Sequence, residues 1–236
     1  MSTILAIETS SELASAALLH GDRVFAAESS GVQTHSQTIL PMLQSLLAQA
    51  GIALTQCDAI AFGAGPGSFT GVRTACGIAQ GLAFGAGLPV VPVSTLMAMA
   101  QACRDQAAPQ QQERDVLCIL DARMNEVYWA QYHYADGWQT VVAPVLSAAS
   151  EVRPQGEAIA CGNGLSAYAA AFEHQAFAGP AKPAVMPHAT QIAQLARIAF
   201  QLGQGVSAHD AQPLYLRNKV ALTSAERALK NNQVPA

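Results

Sequence analysis

Gly63-Ala-Gly-Pro-Gly-Ser-Phe-Thr-Gly-Val-Arg73 is the stretch of sequence that most constrains the fold. It follows the apolar, strand-like run Ala59-Ile-Ala-Phe62 and precedes a long series of helix-compatible residues. Because glycine permits positive φ and the close approach of other groups, four glycines here predict a tight turn between a strand and a helix. Backbone N–H groups at the start of a helix can bind an anion, so the turn is also a candidate phosphate site.

Two known phosphate-binding patterns do not fit this turn. A Walker loop ends in Gly-Lys-Ser/Thr, and the first lysine of the chain is Lys182. The dinucleotide-binding pattern G-x-G-x-x-G fails because Gly63, Gly65 and Gly67 are spaced by two and position 68 is Ser68. The local chemistry alone therefore leaves a ligand site and a purely structural turn equally open.

The pattern of the first half predicts three strands followed by alternating helices and strands. Thr38 as N-cap of the first helix would place Pro41 in the first turn, where a missing N–H costs little, whereas an earlier start would imply a kink. Gly51 would end that helix. The predicted elements are strands over 3–8, 13–19 and 23–28, a helix up to residue 50, a strand over 58–63, a helix over about 70–86, a strand over 89–93 and a helix from Ser94 to about 104. This order is typical of a mixed sheet covered by helices.

The second half repeats this order less regularly. Residues 104–115 are polar and unpatterned, and we place a domain boundary there. Beyond them the pattern predicts strands over 116–120, 126–134, 139–146 and 157–161, a glycine turn, an alanine-rich helical segment and a last helix over 189–203. We therefore expect an α/β chain made of two β-β-β-α-β-α halves.

Composition limits the classes of function. Only 12% of the residues are charged, where about 25% is usual, so we expect another protein to cover part of the surface. The net charge is −4 and the basic residues are scattered, which disfavours strong direct binding of nucleic acid. Five cysteines without a C-x-x-C pair are typical of buried, reduced thiols. With no signal peptide and no unbroken apolar run of about 20 residues, we expect a soluble, cytoplasmic chain.

Three glycines of the second predicted helix share one face. Gly77, Gly81 and Gly85 recur every four residues, a spacing that places them on the same side of a helix. Each costs up to about 1 kcal/mol relative to alanine in a helix interior. Close packing of another helix against this smooth side would offset the cost. The sequence leaves open whether that helix comes from the same chain or from another subunit.

Five motifs together resemble one family. They are Ile4-Leu-Ala-Ile-Glu-Thr-Ser10, His35-Ser-Gln-Thr-Ile-Leu-Pro41, Gly65-Pro-Gly-Ser-Phe-Thr-Gly-Val-Arg73, Asp121-Ala-Arg123 with Glu126-Val-Tyr128, and Pro213-Leu-Tyr-Leu-Arg217. From residue 3 to about 220 the chain is similar to the TsaB family, bacterial accessory proteins in the synthesis of tRNA N6-threonylcarbamoyladenosine (t6A). The resemblance implies two related actin/hexokinase-like (ribonuclease H-like) subdomains, each a mixed sheet covered by helices. They would span 1–105, with the partner-binding helices, and 106–222, before a weakly ordered tail over 223–236.

The resemblance also implies a function. It indicates a non-catalytic scaffold that supports the catalytic paralogue TsaD together with the ATPase TsaE. Such a chain would be a homodimer when alone, would meet tRNA only through the complex, and would need no cofactor or metal of its own. An ATP-dependent kinase or phosphatase that uses the cleft of the fold is the alternative hypothesis. A metalloprotease is a third.

No residue of the sequence meets the requirements of a catalytic group. The paralogue binds metal through a His-x-x-x-His pair, whereas here His35 is followed four residues later by Ile39. Glu8 and Asp121 lie where ATP-using members of the fold hold Mg-nucleotide, but we expect both to serve turn hydrogen bonds. The serines of the turns also lie outside any G-x-S-x-G elbow: Ser10, Ser11 and Ser68.

Two groups of residues are therefore the candidate functional positions. The predicted partner interface, on two long helices at about 36–50 and 70–86, comprises His35, Ile39, Leu43, Leu46, Val72, Thr74, Gly77, Ile78, Gly81 and Gly85. The predicted structural loop comprises Gly65, Pro66, Gly67, Ser68, Thr70, Gly71 and Arg73.

Overall fold

The first half of the chain forms a five-stranded mixed sheet. The structure is a computed structural model that describes residues 2–30, 35–107 and 114–217. The strands are β1 (Ile4–Glu8), β2 (Leu13–His20), β3 (Arg23–Ser30), β4 (Ala59–Gly65) and β5 (Val90–Ser94), in the order β3-β2-β1-β4-β5. Strand β1 pairs antiparallel with β2 and parallel with β4.

The second sheet repeats this pairing with one strand fewer. Its strands are β6 (Arg114–Asp121), β7 (Glu126–Tyr134), β8 (Trp138–Ala148) and β9 (Ile159–Cys161), in the order β8-β7-β6-β9. Strand β6 pairs antiparallel with β7 and parallel with β9, as β1 does with β2 and β4. The two sheets are related in topology, and the predicted class of α/β protein with two mixed sheets is confirmed.

Helices cover these sheets, and their ends follow local signals. The helices are α1 (His35–Ala50), α2 (Phe69–Ala86), α3 (Thr95–Asp105), the single turns α4 (Gly164–Ala167) and α5 (Ala169–Phe172), and α6 (Ala189–Gln201). Gly51 ends α1 with a φ of 70°, a conformation that favours glycine. The hydroxyl of Ser94 caps α3 by accepting a hydrogen bond from the N–H of Met97.

The start of α1 agrees with one of the two alternatives that the sequence left open. His35 is already helical, so the helix starts before Thr38, and Thr38 is not its N-cap. The hydroxyl of Thr38 instead donates to the carbonyl oxygen of His35 at 3.2 Å. Pro41 lies inside the helix on its exposed side. The helix therefore continues through a residue that was expected to limit its start.

The first sheet is apolar on both faces and is covered on both. Leu5 and Ile7 belong to the core cluster formed with α1 and α2. Ile4 and Ala6 belong to the cluster formed with α3 and α6 on the opposite face. This alternation along β1 follows from the period of two in a strand.

The second half departs from the predicted repeat in two places. Between β8 and β9, all of whose residues are described, the chain forms only a 3-10 turn at Ala149–Glu151 instead of a helix. The last helix, α6, packs against β1, β2, β4 and β5 rather than against the second sheet. The boundary near residue 105 stays a prediction, and residues 108–113 and the predicted tail 223–236 lie outside the described residues.

Helix α3 lies between the two sheets and joins them into one structure. Met99 and Cys103 of α3 pack with Val116 and Cys118 of β6, and Ala98 packs against the first sheet. Within the described ranges, no helix combines the length and apolarity needed to cross a membrane.

Candidate functional site

The glycine-rich loop between β4 and α2 packs directly against the turn that follows β1. A Cβ atom at Gly71 would overlap the carbonyl oxygen of Thr9, and one at Gly67 would lie 2.6 Å from Ser10. Gly65 has a φ of 103°, which a larger residue rarely adopts. The approach of the chain's own backbone thus accounts for these glycines without a ligand.

Hydrogen bonds across the same contact occupy polar groups of the loop. The N–H of Ser68 donates to the carbonyl oxygen of Ser10 at 2.7 Å, and the hydroxyl of Thr9 donates to the carbonyl oxygen of Gly71 at 2.7 Å. The Ser68 hydroxyl caps α2 by accepting from the N–H of Gly71. These bonds favour the structural interpretation of the loop over the anion-binding one.

The rest of the predicted loop fixes the start of α2. Pro66 is buried and follows a cis peptide bond, and the carbonyl oxygen of Thr70 accepts from the hydroxyl of Thr74 at 2.9 Å. The Arg73 guanidinium lies 3.6 Å from the ring centre of Phe69, and its Nε donates to the hydroxyl of Tyr215 at 2.7 Å. The first turn of α2 is thereby attached to the segment near residue 215.

Glu8 lies beneath this contact and does not line the cleft between the two halves. It is fully buried; Oε1 accepts from the N–H of Ser10 at 2.5 Å, and Oε2 lies 3.4 Å from the hydroxyl of Thr95. Burial raises the pKa of Glu8 above its ordinary value, although the hydrogen bonds from Ser10 and Thr95 lower it. Gly63 is required beside it, because a Cβ atom there would overlap the carboxylate. The geometry favours a structural carboxyl over a metal ligand.

Asp121 does line the cleft, but its carboxylate is already occupied. Oδ1 accepts from the N–H of Arg123 at 2.7 Å and from the hydroxyl of Tyr168 at 2.9 Å, and Oδ2 lies 3.0 Å from the guanidinium of Arg123. The same guanidinium lies 2.8 Å from the carboxylate of Glu12, which belongs to the first half of the chain. A divalent cation at these two carboxylates would therefore have to displace Arg123.

The cleft has a volume of about 1300 Å³ and contains several polar residues singled out in the sequence. Ser10, Ser11 and Ser68 line it, as do His35 and Thr74. Activation of a serine nucleophile requires an adjacent base. Among the described hydrogen bonds, those of the three serine hydroxyls lead to backbone groups, to Glu8 and to Thr95, and none leads to a histidine.

Metal ligands do not converge in the described part of the chain. Within residues 2–30, 35–107 and 114–217, no three His, Cys, Asp or Glu side chains are grouped so as to hold an ion. His35 faces the cleft at the start of α1, whereas Ile39 is fully buried in the core. All five cysteines are buried, and burial together with Asp58 raises the pKa of Cys57 to about 11. A thiol in that environment is a poor nucleophile at neutral pH.

A different surface, the outer face of α2, is exposed and smooth. We define it by Gly77, Gly81, Phe84 and Gly85. A Cβ atom at any of the three glycines would meet no described atom within 4 Å, and Phe84 is 85% exposed. The described part of the chain therefore does not supply the helix that the glycine spacing predicts. Phe84 was not singled out in the sequence, although its position three residues after Gly81 places it on the same face.

Four residues predicted at the partner interface belong to the chain's own core. Ile39, Leu43 and Leu46 of α1 pack under the first sheet, and Val72 of α2 is buried at the loop. The prediction is therefore corrected for these residues, because the apolar stripe of a surface helix marks the face turned toward its own sheet. The other predicted positions keep exposed surface: His35, Thr74, Gly77, Ile78, Gly81 and Gly85.

Comparisons with known proteins agree with this architecture. Residues 25–231 match the family model described as TsaD: tRNA N6-adenosine threonylcarbamoyltransferase. The chain is 39% identical, over 92% of its length, to the tRNA threonylcarbamoyladenosine biosynthesis proteins TsaB of Haemophilus influenzae and Escherichia coli, of which it covers 94% and 96%. A solved structure, YeaZ from Pseudomonas aeruginosa, is 38% identical with a TM-score of 0.82, covering 92% of this chain and all of that one. The predicted actin-like fold class is confirmed.

Substitution of Gly71 tests the contact between the loop and the turn. Gly71→Ala forces a Cβ atom into the carbonyl group of Thr9, so we expect the free energy of unfolding to fall by about 2 kcal/mol. Gly81→Ala is the matched control: it adds the same methyl group to the same helix in open space, and we expect a gain of up to about 1 kcal/mol. Urea unfolding measures both, and equal effects of the two substitutions would contradict the contact.

The buried carboxyl of Glu8 predicts a dependence of stability on pH. Because the pKa of Glu8 is higher in the folded chain, the stability due to its neutral form is fully present below the ordinary pKa and is lost as pH rises through the raised one. Glu8→Gln keeps the acceptor for Ser10 but cannot ionise. As pH rises from 4 to 8, the free energy of unfolding of the wild type should therefore fall relative to that of the variant, as measured by urea unfolding. Parallel pH curves for the two proteins would show that Glu8 is not a buried neutral acid.

Proposed function

The chain belongs to the TsaB family, and from this membership we propose that it is a non-catalytic partner subunit in t6A modification of tRNA. Its curated relatives are named biosynthesis proteins of this modification. In our proposal the chain binds and supports the catalytic paralogue TsaD in the cytoplasm, together with TsaE. Contact with tRNA would occur only through the assembled complex.

The outer face of α2 carries this proposal. Its exposed glycines lower the stability of the helix, and no close contact within the described part of the chain offsets that cost. From Thr74 to Ala86 the helix has no charged residue, and the depletion of charge together with an exposed aromatic ring is typical of the centre of a protein interface. We propose that a helix of TsaD packs along the three glycines, with Phe84 as the apolar anchor.

The contacts of the carboxylates in and near the cleft support a role without catalysis. Glu8 is buried away from the cleft, and Asp121 and Glu12 are both paired with Arg123. A kinase or phosphatase of this fold would need carboxylates free to hold a divalent cation. The contacts of Arg123 therefore weigh against the alternative of an ATP-dependent enzyme.

A homodimer of the chain alone is expected to use the same face. An isologous dimer places one surface patch of each copy against the same patch of the other. Self-association through the outer face of α2 would bury the glycines and Phe84 in the absence of TsaD. The homodimer and the complex with TsaD would then exclude each other.

An arginine on the outer face of α2 should weaken binding to TsaD without unfolding the chain. Gly81→Arg adds a long charged side chain to the outer face of α2, where no described atom is in contact. We expect the isolated chain to remain folded, and its affinity for TsaD to fall by more than about thirtyfold, which corresponds to about 2 kcal/mol. Calorimetric titration with TsaD measures the affinity, and circular dichroism checks the fold.

Gly137→Arg is the matched control for this variant. Gly137 is exposed in the turn between β7 and β8, and a Cβ atom there also meets no described atom within 4 Å. It carries the same change of charge and size on another surface, so its affinity for TsaD should equal that of the wild type. Unchanged binding by a folded Gly81→Arg variant would remove the outer face of α2 from the interface.

A further inference from the structure

The row of glycines on α2 ends at an arginine. The three glycines of the outer face recur every four residues, and Arg73 lies four residues before Gly77. Residues at this spacing lie above one another on a helix, so Arg73 continues the row about 6 Å nearer the start of α2. It is also the single charged residue of α2. A helix that packs along the glycines and extends by one turn in this direction therefore reaches Arg73.

Two aromatic rings and one hydrogen bond hold the guanidinium of Arg73. Its Cζ lies 3.6 Å from the ring centre of Phe69 and 5.4 Å from that of Tyr215. The Nε atom donates to the hydroxyl of Tyr215 at 2.7 Å, and the two rings contact each other with their centres 5.8 Å apart. A side chain that is already fixed loses less conformational entropy when it binds a partner. The Arg73 guanidinium is therefore pre-organised.

The terminal nitrogens of Arg73 find no acceptor in the described part of the chain. There the one hydrogen bond of its side chain is that of Nε, and no carboxylate lies within 4 Å of its guanidinium. The N–H groups of Nη1 and Nη2 match the two oxygens of a carboxylate, and such bidentate pairs are among the strong hydrogen bonds of proteins. A fixed, unpaired guanidinium of this kind is suited to bind an anionic group from outside the described residues.

The space beside the guanidinium is a small pocket at the edge of the outer face of α2. It has a volume of about 310 Å³, and both Arg73 and Gly77 line it. The Gln80 amide of the same pocket is already engaged, because its Nε2 donates to the carbonyl oxygen of Ala211 at 3.0 Å. The missing Cβ of Gly77, where no described atom lies within 4 Å, gives a partner side chain room to enter. The pocket thus connects the glycine row to an unpaired positive charge.

We propose that Arg73 binds a carboxylate of the protein that packs on the outer face of α2. The acid would be an Asp or Glu one helical turn beyond the partner residue that contacts Gly77. This inference rests on the proposed function, in which that protein is TsaD. A second copy packed through the same face offers no carboxylate from its own α1 or α2, because neither helix contains Asp or Glu. A nucleic acid would need several basic residues, and α2 supplies one.

Calorimetric titration with TsaD at low and at high salt tests the charge of Arg73. Arg73→Gln removes the charge, so the affinity for TsaD should fall at least about tenfold at low salt. The wild-type affinity should also decrease more steeply with salt, because salt screens the ion pair. Arg73→Lys, which keeps the charge without the paired N–H groups, should recover part of the loss. Circular dichroism checks that both variants are folded.

Arg23→Gln is the matched control for the loss of charge. Arg23 also lies over an aromatic ring, with its Cζ 4.7 Å from the ring centre of Phe25, but it belongs to the outer strand β3 of the first sheet. The substitution removes the same charge and the same kind of ring contact from another surface. Its affinity for TsaD should equal that of the wild type at both salt concentrations.

Carbodiimide coupling of the complex identifies the group that contacts Arg73. The reagent joins an amine to a carboxylate when the two are in contact, and Arg73→Lys introduces an amine at this position. We expect a new crosslinked peptide, absent from the wild-type complex, in which position 73 is joined to an Asp or Glu of TsaD. Mass spectrometry measures it.

The outcomes separate this inference from the proposed function. Wild-type affinity for TsaD in a folded Arg73→Gln variant would overturn the role of Arg73, even where Gly81→Arg still weakens binding, and so would the absence of a crosslink at position 73. Reduced affinity for tRNA with unchanged affinity for TsaD would assign Arg73 to a phosphate and overturn it as well. A wild-type chain that does not bind TsaD at all would instead overturn the proposed function, and this inference with it.

Discussion

The contact between the turn after β1 and the glycine loop before α2 is the constraint on which the other features depend. Here the backbone of Thr9 and Ser10 occupies the space that side chains at Gly67 and Gly71 would need. Two hydrogen bonds of 2.7 Å join the same segments. Because α2 starts at this contact, the contact also sets which side of α2 is turned toward the sheet and which side toward solvent.

Two consequences for function follow from this arrangement. The close approach buries Glu8 below the loop, where burial favours its neutral form, so the strand end that could hold a metal serves the fold instead. It also directs Ala75, Ala79 and Ala83 of α2 into the core and leaves the outer face of α2, with its glycines and Phe84, in solvent. The same loop geometry thus accounts for the burial of Glu8 and for the exposure of the outer face of α2.

Much of the architecture could be predicted from sequence because it depends on local signals. The glycine loop, the cap at Ser94 and the end of α1 at Gly51 all follow from residue chemistry within a few positions. Helical spacing also placed Gly77, Gly81 and Gly85 on one face correctly. Helical spacing does not predict what packs against a given face of a helix. Ile39, Leu43 and Leu46 were therefore assigned to a partner interface, although they pack against the chain's own sheet. The return of α6 to the first sheet and the left-handed turn at Met124 depend on long-range contacts that no local pattern contains.

The most direct test of the partner role is a reconstituted transfer reaction with purified components. TsaD, TsaE and this chain are combined with tRNA, threonylcarbamoyl-adenylate and ATP, and the t6A formed is measured with each protein omitted in turn. Omitting this chain should strongly reduce t6A formation, and the chain alone should form none. Turnover of threonylcarbamoyl-adenylate onto tRNA by the chain alone, at a rate comparable with the full mixture, would contradict the partner role.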